Sequence, residues 1–114
     1  NAILLALMAS GLNGQHFEFY GYLPVDNEKR AKKIKELTLD SQKNNSTKIF
    51  IETPYRNQQL LDAFLNNCKP LSRLCIAANL TSPQEWVKTK SIAQWKKEMP
   101  QLNKQPVIFL LQGQ

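Results

Sequence analysis

Three short apolar runs constrain this chain most: Ile49-Phe50-Ile51 within Lys48 to Glu52, Leu74 to Ala78, and Val107 to Leu111. Each is too brief for a stable helix, and none alternates with polar residues, which is the pattern of strands covered on both faces. Around them lie longer stretches with apolar residues at helical spacing, Ala31, Ile34 and Leu37 in one and Leu60, Leu61, Phe64 and Leu65 in another. Strands interleaved with amphipathic helices predict a layered sheet rather than a helix bundle or a β-sandwich.

The remaining segments fill in that plan. The apolar run Ile3 to Ala9 reads as a helix ending near Ser10, because Gly11 tolerates the positive φ that closes a helix and Asn13-Gly14 is a turn pair. Phe17 to Leu23 alternates around aromatic residues as a strand until Pro24 removes a ladder donor. Asp26 is placed to cap a lysine-rich helix running to about Gln42, followed by the polar loop Lys43 to Ser46. A helix is expected from Arg56 to about Asn67, with Asn57, Gln58 and Asp62 pointing away from its apolar face. Arg73 to Ala78 and Trp86 to Lys90 read as strands, Ser91 as the cap of a helix through about Glu98, and Pro106 as the opening of the last strand. The fold expected is α/β, a layered αβα domain with a mixed sheet of about five strands.

The same residues narrow the chemistry. Cys68 and Cys75 form no CxxC and the single histidine, His16, is distant, so no metal-ligand cluster can be assembled from the sequence. Two unpaired thiols suit a reducing compartment, and Cys75 reads as a small buried hydrophobe. The run Ile3 to Ala9 is far shorter than the ~20 residues a bilayer span needs, so the expectation is a soluble, cytoplasmic chain with no membrane partner. A net charge of +6 suits a phosphate-rich partner, and much of the excess sits at Lys29, Arg30, Lys32, Lys33 and Lys35 on one helix, which reads first as a solvated face and second as an RNA contact. The chain opens without a methionine and enters its apolar segment without an evident cap. Asn1-Ala2 therefore reads as a possible tag remnant, ahead of a helix whose native upstream half lies elsewhere.

Three segments, in order, resemble one family. The first is Ser10-Gly11-Leu12, then Phe17, Phe19, Gly21, Tyr22, Leu23 and Pro24, then Arg30. The second is Ile49 to Arg56, IFIETPYR, in which Glu52, Thr53, Pro54, Tyr55 and Arg56 fit without gaps. The third is Ile76 to Trp86, with Ala77, Leu80, Thr81 and Glu85 in place. Together they are similar to the C-terminal domain of the tetrapyrrole methylase superfamily, and within it to the enzymes that methylate a cytidine 2′-hydroxyl in small-subunit ribosomal RNA. The third segment departs from that pattern: Ala78 replaces an arginine, Asn79 a glutamate and Ser82 a lysine, so two cations and an anion are missing from one loop.

The resemblance implies a two-domain methyltransferase that uses S-adenosyl-L-methionine in the cleft between its domains and works as a homodimer, with this chain, 1–114, as the C-terminal half. It implies cofactor contacts from Glu52, Thr53, Asn79, Leu80 and Thr81 at the turns that end two strands, and substrate contacts from Tyr55, Arg56 and Arg30. A fragment of this extent is expected to be inactive alone. No catalytic acid or base is implied, because transfer from a sulfonium needs alignment in a dry site more than proton transfer. For Glu52 the alternative is a helix-capping carboxylate or a partner for Arg56; for Thr81, a turn hydroxyl; for Tyr55, packing. The loop at Ala78, Asn79 and Ser82 leaves open a tetrapyrrole or other small metabolite as acceptor in place of ribosomal RNA. A non-catalytic RNA-binding or dimerisation module is the reading of another class.

Overall fold

The computed structural model describes residues 1–114. In chain order the elements are α1 (Ala2–Ser10), β1 (Phe17–Gly21), α2 (Asn27–Asn44), β2 (Thr47–Ile51), a 3-10 turn (Pro54–Arg56), α3 (Asn57–Asn67), β3 (Arg73–Ala78), β4 (Trp86–Ser91), α4 (Ile92–Lys97) and β5 (Val107–Gln112). The strands form one sheet in the order β1-β2-β5-β3-β4. β1 and β2 are parallel, whereas β5 runs antiparallel to β2 on one side and to β3 on the other. β2 and β3 therefore point the same way, and the turns that follow them emerge at the same end of the sheet.

Side-chain alternation divides the core in two. Phe50, Leu74, Ile76, Phe109 and Leu111 face α2, α3 and α4 in a cluster of 19 buried residues, threaded by the ring contacts Tyr20–Phe50, Phe50–Phe64 and Phe64–Phe109. Ile49, Cys75, Ala77, Ile108 and Leu110 face the other way, toward Ala6, Leu7 and Leu12, in a cluster of eight. α1 packs on that face chiefly over β3, β4 and β5, and Phe17 and Phe19 of the edge strand β1 remain exposed.

Helix ends follow the local chemistry. The Asp26 carboxylate accepts from the Lys29 amide at 3.0 Å, and Ser91 and Gln94 exchange side-chain and backbone bonds in a full capping box. Gly11, at φ 71, closes α1. At its start α1 does have a cap: the Asn1 side chain accepts from the Ile3 amide at 2.9 Å. β1 stops at Gly21 rather than Leu23, because a bulge between Phe19 and Gly21 breaks its register with β2. α2 runs through the expected polar loop to Asn44, since Asn45 adopts the left-handed conformation that ends it. Asn57 is fully buried, contrary to the expectation that it points away from the apolar face; its amide donates to the Gln105 carbonyl at 2.6 Å. No helix is long and apolar enough to cross a membrane.

Candidate functional site

In open α/β sheets ligands sit where strands end and the chain turns away. Here that end is formed by the turn after β2, the loop after β3 and the segment entering β5 between them. Glu52, the first residue beyond β2, is buried, and its Oε1 accepts from the Thr53 amide at 2.7 Å and from Arg56 Nε at 3.3 Å. The ion-pair role set out for Glu52 is thus present, whereas the helix-capping role is not: the carboxylate reaches only the adjacent Thr53 amide, no side chain caps the helical turn or α3, and Oε2 makes no hydrogen bond. Arg56 also lies over the exposed Tyr55 ring, 5.1 Å from its centroid.

Beyond β3 the backbone is bent tightly. Asn79 and Thr81 have φ of 54° and 66°, and Lys104, in the segment entering β5, has 62°. Asparagine tolerates that region; for β-branched Thr81 it is strained, and such strain gathers at ligand-binding turns. The bend is held by the Glu85 carboxylate, which accepts from the Thr81 amide at 2.8 Å, and by Ser82, whose hydroxyl donates to the Asn79 carbonyl at 2.8 Å. The Thr81 hydroxyl donates to the Leu80 carbonyl at 2.6 Å, so it acts as the turn group that the alternative reading described.

Gln105 ties the two turns together. Its carbonyl receives Asn57 from the β2 side, and its side-chain oxygen receives Asn79 Nδ2 at 3.0 Å from the β3 side. The Asn79 amide donates to the Pro106 carbonyl at 2.9 Å, which fixes the loop against the start of β5. Gln105 and Asn57 carried no sequence signal beyond being polar residues near a turn and a helix start, because their role depends on two segments 48 residues apart in the chain.

Between these turns lies a cavity of about 310 Å³, walled by Ile51, Leu80, Pro106 and Ile108, with Tyr22 and Ala2 at its rim and Glu52 as its one carboxylate. Of the residues expected to contact a cofactor, Glu52 and Leu80 line this space, Thr53 and Asn79 support its walls, and exposed Thr81 lies beyond it. Tyr55 and Arg56 flank Glu52 outside the cavity. Arg30 is set apart from all of them: it is buried in a polar cleft between α2 and α3, where Nη2 donates to Asn27 at 2.8 Å and Nε has no partner.

Comparison with known proteins gives this arrangement a context. Among solved structures, the chain matches the methyltransferase CobJ with a TM-score of 0.60 at 16% identity, over 99% of this chain and 48% of that one. It matches the uroporphyrin-III C-methyl transferase of Thermus thermophilus, solved with S-adenyl homocysteine, with a TM-score of 0.54 at 14% identity, over 94% and 48%. The fold is therefore that of half a tetrapyrrole methyltransferase. In sequence the chain is 30% identical over 115 residues to the ribosomal RNA small subunit methyltransferase I of Vibrio cholerae serotype O1, covering 98% of this chain and 38% of that protein. It is 40% identical over 63 residues to the protein of the same name in Bacillus subtilis, over 55% of this chain and 20% of the relative. No protein-family model matches the chain. The chain is thus similar in sequence to the ribosomal RNA small subunit methyltransferase I proteins, and spans well under half the length of those relatives.

Proposed function

We propose that this chain is the C-terminal half of an S-adenosyl-L-methionine-dependent methyltransferase acting on ribosomal RNA, with residues 1–114 supplying one wall of a cofactor cleft and an N-terminal domain supplying the other. The observation that carries the reading is that Glu52 and Leu80, from turns after two different strands, line one cavity. Its fit to the cofactor is partial. A space of about 310 Å³ is at the lower limit for a ligand pocket, and its apolar walls suit a ring or aliphatic chain while the free Glu52 oxygen suits a hydroxyl or amine donor. When bound, S-adenosyl-L-methionine supplies an activated methyl group on a sulfonium. The residues here then have the work of orienting it and excluding water.

Ribosomal RNA as acceptor is supported by the names of the sequence relatives. A tetrapyrrole or other small metabolite is favoured by the third segment, where Ala78, Asn79 and Ser82 leave the loop without the two cations and the anion of the RNA-methylating pattern. A homodimer is supported by the sheet face that α1 leaves uncovered, and a cytoplasmic location by two buried free thiols. The test is methyl transfer by the full-length protein, followed by mass spectrometry of small-subunit ribosomal RNA from cells with and without the gene. A missing methyl group in the deletion strain is the expected result; identical RNA in both strains would return the acceptor to the metabolite reading. The isolated chain is expected to bind S-adenosyl-L-methionine weakly or not at all by calorimetry, and tight binding would contradict the division of the cleft.

A further inference from the structure

The edge strand β4 carries a groove unconnected with the cavity above. Trp86, Lys88 and Lys90 pair with Ala78, Ile76 and Leu74, so all three project to the side of the sheet that α4 covers. There, with Trp95, Met99 and Gln101, they line a cavity of about 330 Å³. Trp95 is buried and fixed by a 2.8 Å bond from its indole nitrogen to the Leu74 carbonyl, and the Lys90 ammonium sits 4.7 Å from its ring centroid. Trp86 is half-buried, packed on the core along one part of its ring and open to the groove along another.

The groove keeps an excess of positive charge, and its lysines form no ion pairs. The four ion pairs of the chain use Lys33, Lys48 and Arg56, and none uses Lys88, Lys90 or the exposed Lys96 and Lys97 at the end of α4. One acid, Glu98, lines the groove against two lysines. The lysine-rich helix α2 differs: Glu28, Glu36 and Asp40 are interspersed there, and Lys33 is bonded to Glu36 at 3.1 Å. Alternate residues of a strand stand about 6.7 Å apart, a spacing that suits successive phosphates of an extended polynucleotide. An aromatic face beside lysines is the usual composition of a single-strand binding groove.

We propose that the groove between β4 and α4 holds single-stranded RNA, with Trp86 stacking on a base and Lys88 and Lys90 contacting phosphates. This rests on the reading of the whole protein as an RNA methyltransferase and gives its acceptor a location. Trp86 pairs with Ala78, the residue before the Asn79 bend, so the groove opens at the same end of the sheet as the candidate cofactor cavity. A strand held along β4 is led toward that end.

The test uses the 114-residue chain and a single-stranded RNA oligonucleotide of about ten nucleotides, read by tryptophan quenching and by titration at several salt concentrations. Lys88→Glu with Lys90→Glu should weaken binding at least tenfold and lower the log–log salt slope by about 1.4, the share of two phosphates on a single strand. Trp86→Leu should abolish most of the quenching, because Trp95 is buried. Reversing Lys32, Lys33 and Lys35 together should have the smaller effect. Unchanged affinity in the double reversal, in a variant that melts like the parent, overturns the proposal; Lys88→Gln with Lys90→Gln repeats the measurement if the reversal fails to fold. Equal affinity for polyglutamate, insensitive to Trp86, also overturns it. Methyl transfer to RNA by the full-length protein that survives the double reversal unchanged removes the groove and leaves the enzyme reading standing. Absent methyl transfer by the unmodified protein removes the enzyme reading, while RNA binding by this chain still decides the groove.

Discussion

Lys48 shows how a single buried charge is kept. Its side chain is only 4% exposed, yet it bonds to Glu18 at 2.8 Å and to Asp40, one acid from β1 and one from α2. Burial favours the neutral amine, but the two acceptors outweigh it and hold the pKa above its ordinary value, while Lys48 and Asn44 hold Asp40 below the usual carboxylate range. Removing both acids, Glu18→Ala with Asp40→Ala, should lower stability in chemical denaturation, whereas Lys48→Met should be close to neutral, since an apolar replacement leaves no stranded charge. A lowered acid pKa contributes stability above the unfolded value near 4 that is lost as pH falls through the folded value, so Lys48→Met should lose less of its melting temperature in acid than the parent. Cys68 has the opposite sign. Burial pushes its thiol up to about 11, against a weaker pull from Thr38, so the folded chain keeps a proton that the unfolded chain loses. Stability is full below the unfolded thiol pKa and declines at up to about 1.4 kcal/mol per pH unit from there to 11, a slope that Cys68→Ala should lack in pH-dependent melts.

At the scale of elements, α4 and the bend after β3 make different demands. α4 has six residues and cannot persist unaided, so its capping box and the buried Ile92 and Trp95 hold it in place. Ser91→Ala should cost about 1 kcal/mol in thermal melting. The bend carries strain instead. Thr81→Gly removes a β-branched side chain from φ 66° and should stabilise the chain by about 0.5–1 kcal/mol after the added freedom of the unfolded glycine, while weakening whatever the strained turn is shaped to hold. A loss of stability at this position would show that Thr81 contributes contacts rather than strain. The caps at Asp26 and Ser91 were legible because a cap is a local device, read within four residues. The end of β1 was not, because the bulge at Gly21 is imposed by pairing with β2.

Across the whole molecule the sheet is covered unequally. Three helices and 19 core residues lie on one face, and α1 with eight on the other. Leu4, Leu5 and Met8 on the outer side of α1, and Phe17 and Phe19 on β1, are exposed, an apolar surface that a lone domain of this size seldom carries. The isolated chain should therefore self-associate as concentration rises, and Met8→Lys with Phe19→Lys should keep it monomeric in light scattering while changing stability by less than about 1 kcal/mol. A parent chain that stays monomeric at high concentration would count against this face as an interface.

The order of helices and strands, the caps, and which runs enter the core are written in the chain, because propensity, capping and apolar period act over a few neighbours. The resemblance of IFIETPYR and its companions also placed Glu52 and Leu80 among the expected cofactor contacts, and the fold brings both to the lining of one cavity. Only the folded chain decided that β5 lies between β2 and β3, that Gln105 joins their turns, and that Arg30 sits in a separate cleft. Those arrangements depend on strand order and on contacts between segments dozens of residues apart, where the free energy of pairing and burial, not local preference, selects one topology.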